Sequence, residues 1–348
     1  MSTLDALTCP VPHNETERVL LGHGSGGQLM AELLRDVITP ALGGSGVLED
    51  AAVVSVGSTQ IVFSTDGFVV TPRFFPGGDI GSLAVNGTIN DIAMRGADPV
   101  ALSLAYLLEE GLPVAELRRI TTSVAAAAGA AGVPVVTGDT KVVERGGVDG
   151  VYVTTTGIGV RAPGVDPSAT RCRPGDVVLV SGPIAAHGMA VLSAREDLGF
   201  DSGIRSDSRP LHRLVCTMLH TAGAAVHALR DPTRGGVASA LNELAEASGV
   251  SVELDETALP VARQVAAACE ILGVDPLHVA NEGCLIAMVA PESADRVLAA
   301  MRRRPEGAAA CAVGRVGDGP AGRVTVRTLV GSTRVLDMLV GEQLPRIC

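Results

Sequence analysis

The chain of 348 residues has no tryptophan, two tyrosines and five phenylalanines. So few rings leave little surface on which nucleic-acid bases could stack. Excess positive charge is also missing: 27 Lys and Arg against 38 Asp and Glu give a net charge of −11. That field repels polyanions and argues against a nucleic-acid partner. No apolar run approaches the roughly 18 residues that read as a membrane-crossing helix, so no membrane association is expected. The opening residues carry no cationic segment followed by an apolar one, so no signal peptide is read there and a cytoplasmic protein is expected. The seven cysteines contain no CxxC pair and read as reduced thiols, mostly core filler. No GxxxxGK[ST] occurs, which removes the P-loop as a phosphate cradle.

What is present is a chain 47% hydrophobic and only 19% charged, a composition that excludes disorder. At about 150 residues per domain the length predicts two domains. The fold class expected is α/β of the α+β type. Residues 1–42 form an arm and Gly-rich flap, 43–162 an N-terminal domain, 172–328 a C-terminal α/β domain, and 329–348 a mobile tail. The Pro- and Gly-rich stretch at 161–175 marks the boundary. Periodicity predicts a helix that carries Leu29, Leu33, Leu34 and Val37 and stops before Pro40. It predicts strands within 51–71, a helix capped by Asp79, a second helix over 114–131, and strands at 133–139 and 150–160. In the second half it predicts helices near 188–196 and 211–228, and a third opened by Asp231-Pro232 and running to about Ser248. Strands are expected at 176–181, 284–290, 312–316 and 323–328, with a helix at 291–303.

The segment Gly22-His23-Gly24-Ser25-Gly26-Gly27 formally spells GxGxxG. A dinucleotide fold wants a buried strand before it and an acidic residue about 20 positions on. Position 47 is Val and the text continues into antiparallel-looking strands, so the loop reads as a flexible flap whose His23 and Gly24 touch phosphate. The stronger pattern is acidic. Asp50, Asp66, Asp91, Asp139 and Asp231 each stand at the end of a β-like run or the start of a helix, where folds of this class gather ligand groups. Carboxylates converging on Mg²⁺ suit a nucleoside triphosphate. Singly, Asp231 also reads as a helix N-cap and Asp66 as a turn residue. Lys141, just after a strand, and Glu282, just before one, are the proton-handling candidates. Cys348 is the last residue, where a thiol does little packing, and reads as a nucleophile on a swinging arm.

Taken together, these segments resemble one family. They are HGSGG (23–27), EDAAVV (49–54), the run STDGF…ADP (64–99) with its Asn90-Asp91 pair, VPVVTGDTKVV (133–143), DPTRGGVASALNELAE (231–246), NEGC (281–284) and the terminal PRIC. The resemblance is to the hydrogenase expression/formation proteins of the HypE family, carbamoyl dehydratases in the superfamily of aminoimidazole ribonucleotide synthetase and selenophosphate synthetase. It implies a two-domain fold whose N-terminal domains pair as a β-barrel homodimer, with ATP near that interface. It also implies a task, the making of cyanide ligands for [NiFe]-hydrogenase iron. A carbamoyltransferase, HypF, loads the terminal thiol, ATP-dependent dehydration gives a thiocyanate, and the cyano group passes to iron on a HypC–HypD complex. On this resemblance Asp50, Asp91 and Asp231 are metal ligands, Asp66, Asn90 and Asp139 belong to the nucleotide site, and Cys348, Glu282 and Lys141 carry the chemistry. Two rivals stand beside it. A selenophosphate synthetase-like sister would want a Cys or selenocysteine in the Gly-rich loop, whose nearest thiol here is Cys9. A non-catalytic thiol carrier would bind nucleotide without turning it over.

Overall fold

The computed structural model describes residues 18–43, 47–196, 203–341, 344 and 346–348. The N-terminal half is built on five strands: β1 (Ala52–Val56), β2 (Thr59–Phe68), β3 (Ala97–Glu109), β4 (Val135–Val143) and β5 (Val151–Arg161). Their order across the sheet is β1-β2-β5-β3-β4, antiparallel except for the β3–β4 pair. Helix α1 (Gln28–Leu33) precedes them, and α2 (Ile80–Met94) and α3 (Val114–Ala131) cover one face. Asp79 caps α2, accepting from the Gly81 and Ser82 amides. Helix α2 is buried around nearly its whole girth, as an apolar helix in a core must be.

Strand alternation decides which side chains meet these helices. On β2, Val62, Ser64, Asp66 and Phe68 turn toward α2, while Phe63 and Thr65 turn away. Register then carries the outward face across the sheet. Phe63 pairs with Ile158, Ala105 with Asp139, and Leu107 with Lys141. Val54, Val56, Phe63, Ile158 and Val160 are exposed on this face.

The C-terminal half carries β6 (Val177–Val180), β7 (Val226–Arg230), β8 (Ser251–Asp255), β9 (Ile286–Val289), β10 (Cys311–Gly317), β11 (Val324–Arg327) and β12 (Thr333–Val335), ordered β12-β11-β8-β10-β6-β9-β7. The helices are α4 (Ala186–Arg195), α5 (His212–Ala222), α6 (Gly236–Ser248), α7 (Arg263–Leu272) and α8 (Pro291–Met301). Val178 and Val180 pack with Val237 and Leu241 of α6 on one face. Leu179 packs with Leu214 of α5 and Val297 of α8 on the other. Among the described residues no helix is long and apolar enough to cross a membrane.

Three local expectations change. The helix read as running to Ala228 stops at Ala222, where Gly223 takes φ 51°, and residues 226–230 instead form β7 on the sheet edge. Helix α6 starts at Gly236 behind a left-handed Gly235, so Asp231 is not its cap and stands in the loop before it. After Leu33 the first helix passes into a π turn over Leu34–Ile38. The wider turn shifts the period, and Val37 ends up exposed.

Candidate active site

The loop before β1, the last turn of α2 and the loop after β7 deliver Asp50, Asp91 and Asp231 to one place. One carboxylate oxygen from each lies within 4.8 Å of the others. Ser64 donates to Asp91 Oδ2 at 2.7 Å, and Arg230 pairs with Asp50 Oδ1 at 2.6 Å and with Glu243. Burial lifts the Asp50 carboxyl to about 6 against the opposing pull of Arg230. Burial first, then Asp66, raises Asp91 well above the carboxylate range; for Asp231 the causes are burial and Asp50. Three close carboxyls resist being charged together. Asp50 Oδ2 is buried without a partner. An all-oxygen donor set with an orphaned oxygen fits a hard cation such as Mg²⁺, which completes its shell with water and phosphate. The trio opens on a cleft of about 790 Å³ lined also by Asp66, Arg230, Arg234, Met30 and Leu34, a volume in the range of small-molecule sites.

The tail reaches the same place from the other side. The Val69 amide donates to the main-chain oxygen of Cys348 at 3.1 Å and Thr71 to that of Arg346 at 3.2 Å. Arg195 donates to the main-chain oxygens of Thr71 and Arg346, both at 2.8 Å. His187, buried and bridging Ser206 and the Ile347 carbonyl at 2.8 Å each, has its pKa lowered by that burial. The Ile347 side chain is buried with Phe68, Val70 and Ile80. In this position burial pushes the Cys348 thiol up to about 12; Arg234 opposes the rise and Glu282, Asp66 and Asp91 add to it. Glu282 is itself buried, its Oε1 unpartnered. Its pKa is raised well above the ordinary value, first by burial and then by Asp231, Asp207 and Asp66. Asp207 fixes the turn by accepting from the Glu282 and Gly283 amides at 3.2 and 3.0 Å. Gly87 on α2 leaves the room: a Cβ there would press into Phe68 at 2.9 Å and stand 4.0 Å from Glu282 Oε2.

The structure thus brings together Asp50, Asp66, Asp91, Asp231, Glu282 and Cys348. It leaves others apart. Asp139 and Lys141 pair with each other at 2.8 Å on the outward face of β4, across the sheet from Asp66. The Asn90 amide is spent inside the fold, donating to the Arg209 and Glu282 carbonyls and accepting from the Leu211 amide. The His23 Nδ1 accepts from the Leu20 amide at 2.9 Å, and the Gly24 carbonyl takes an Arg234 N–H at 3.2 Å. The loop read as a flap is tied down: the Gln28 amide bonds the Leu339 carbonyl at 2.9 Å, and a Cβ on Gly27 would lie 2.3 Å from that oxygen. Sequence reasoning passed over Arg230, Arg234, Glu243 and Asp207. The first two were in view, flanking Asp231 in RDPTR.

Two family models cover the chain: AIR synthase related protein, N-terminal domain, over residues 48–161, and AIR synthase related protein, C-terminal domain, over residues 173–327. The fold is therefore that of the AIR synthase-related class. Within it, the chain is 51% identical over 333 residues to the carbamoyl dehydratase HypE of Rhizobium leguminosarum bv. viciae, spanning 95% of each chain. A solved HypE–HypF complex superposes with a TM-score of 0.84 at 46% identity, over 88% of this chain and 99% of that one. A solved hydrogenase maturation protein HypE in complex with ATP gives 0.81 at 44% identity, over 95% and 100%. The chain belongs to the HypE family of carbamoyl dehydratases, which serve hydrogenase maturation.

Proposed function

We propose that this protein dehydrates a carbamoyl group carried on its own Cys348 to a thiocyanate, using ATP and Mg²⁺, in supplying cyanide ligands to [NiFe]-hydrogenase iron. One observation carries the reading: the terminal thiol lies within the electrostatic reach of Glu282, Asp66, Asp91 and Arg234, where a tethered cargo meets the acidic cleft. A thiocarbamate does not shed its oxygen unaided, because oxide is a poor leaving group. Phosphoryl transfer from ATP to that oxygen converts it to phosphate, and loss of the two N–H protons closes C≡N. Asp50, Asp91 and Asp231 would hold the metal, which when bound supplies charge against the transferring phosphoryl group. Glu282 takes the first N–H proton. Burial first, and then Asp231, raises the Glu282 pKa, so a cation held by the trio would lower it toward the range a base needs.

HypF fits as the carbamoyl donor, as the solved complex of relatives supports, and a HypC–HypD complex as the acceptor. Two copies are proposed to pair through the outward apolar face of the N-terminal sheet, which would place Asp139 and Lys141 in the interface. The whole cycle is placed in the cytoplasm. Intact mass spectrometry after incubation with the carbamoyl donor system and Mg-ATP tests the reading. Gain of one carbamoyl group on Cys348, followed by loss of one water, is the expected record. ATP consumed with no change at Cys348 would sink it.

A further inference from the structure

Arg234 stands between two spaces. Of the residues lining the acidic cleft, only Gly27 and Arg234 also line the small cavity on the tail side, whose walls include Ala280, Leu344 and Ile347. Gly27 has no side chain, so among the described residues Arg234 is the one that brings a side chain to both spaces. Its backbone is fixed by the left-handed Gly235 that follows and by Gly26, where a Cβ would meet Arg234 Cβ at 2.7 Å. One Nη–H is spent on the Gly24 carbonyl at 3.2 Å, which leaves most of the five N–H donors of the guanidinium. Glu282, buried and with Oε1 unpartnered, is a second group that acts on the tail sulfur, with the opposite sign from Arg234.

A carbamoyl group on sulfur has two different ends, an oxygen that only accepts and an NH₂ that donates. A guanidinium only donates, and an ionised carboxylate only accepts. We propose that Arg234 orients the S-carbamoyl group, binding its oxygen and turning it toward the acidic cleft while the NH₂ faces Glu282. The inference rests on the dehydratase reading above. It explains why phosphoryl transfer goes to oxygen and proton loss comes from nitrogen, for the reversed placement would put the NH₂ against a cation and the oxygen against a carboxylate. As the transfer begins, electron density moves from nitrogen to the oxygen, and the same N–H donors stabilise it.

The test uses full-length protein loaded on Cys348 by the carbamoyl donor system. Single-turnover dehydration with saturating Mg-ATP is followed by intact mass. Wild type, Arg234→Ala and Arg234→Lys are compared, with and without added guanidinium ion. The expectation is normal loading and nucleotide binding within a few-fold for both variants. Dehydration should fall about 100-fold or more in Arg234→Ala and less in Arg234→Lys, and guanidinium should restore much of the Arg234→Ala rate. Rescue by a free ion is not given by a merely structural arginine. Dehydration at the wild-type rate in Arg234→Ala overturns the proposal, and so does a slow variant that guanidinium does not rescue or one that no longer binds nucleotide. A wild type that loads but never loses water refutes the dehydratase reading instead, so the two failures are distinct.

Discussion

The Val69 amide donates to the main-chain oxygen of Cys348 at 3.1 Å, so the last residue is held as an added rung beside the strand that carries Asp66. That contact, with Arg195 and His187 behind it, makes the docked tail a state with a measurable free energy. A half-buried thiol pushed up to about 12 is protonated at neutral pH and a poor nucleophile. Loading by a carbamoyltransferase therefore requires the tail to leave.

Arg195→Ala should loosen it. The variant loses hydrogen bonds to the Thr71 and Arg346 main-chain oxygens, each worth about 1 kcal/mol. The expected result is reaction of Cys348 with a thiol reagent roughly 10-fold faster or more, with the other cysteines unchanged. Peptide mapping of the labelled protein reads this directly, and an unchanged Cys348 rate would show that docking does not limit access.

Glu282→Gln keeps the shape of the side chain and removes the base. The variant should accept the carbamoyl group and bind Mg-ATP, then stall with the carbamoyl mass intact, slowed by about 10²–10⁴-fold as general-base removal typically costs. Intact mass at timed intervals separates the loaded and dehydrated species. Water loss at the wild-type rate would remove Glu282 from the mechanism.

The acidic trio makes a pH prediction with a definite sign. A carboxyl whose folded pKa lies above its unfolded value near 4 gives stability that is present at low pH and lost as pH rises through the folded value. For Asp50 that window runs from about 4 to about 6, and Asp91 and Asp231 extend it upward. Metal-free protein should thus lose stability across this range, and Mg²⁺ should restore it. The rise in Tm on adding Mg²⁺ should be several degrees at pH 8 and small at pH 5, at roughly 2–4 °C per kcal/mol for domains of this size. Asp231→Asn should abolish most of the difference. Equal Mg²⁺ shifts at both pH values would mean the ion binds elsewhere.

Much of this was legible in the chain because the acidic residues stand beside Gly, Asn and strand text that marks loop ends. Asp79 as the cap of α2 and the helix ending at Gly132 follow from local chemistry alone. β7 was not legible: Val226-His227-Ala228 continues a helical pattern, and only pairing with Ile286–Val289 makes it a strand, a case of tertiary contact overriding propensity. The same edge sets Arg230 on Asp50. Lys141 was read as a proton handler, but the register of β4 turns it away from Glu282. Its strongest sequence signal was arithmetic, since it is the only lysine among the 27 basic residues, and unlike arginine a lysine can lose its proton.

That placement makes the outward face of the N-terminal sheet the last point to test. Val54, Val56, Phe63, Ile158 and Val160 are exposed there, on the same face of the sheet as the Asp139–Lys141 pair, and an exposed apolar face of this kind marks a site of interaction. If two copies cover it, a charge placed at its centre opposes association while sparing the monomer fold, because Phe63 is 44% exposed and outside the buried clusters of the described residues. Phe63→Asp should weaken dimerisation by on the order of 100-fold or more, the penalty of an unpaired charge in an apolar contact. Multi-angle light scattering after size exclusion reads the mass, and far-UV circular dichroism checks that the fold is kept. A wild type that runs as a monomer at micromolar concentration would refute the pairing, and a Phe63→Asp variant that stays dimeric would move the contact to another face.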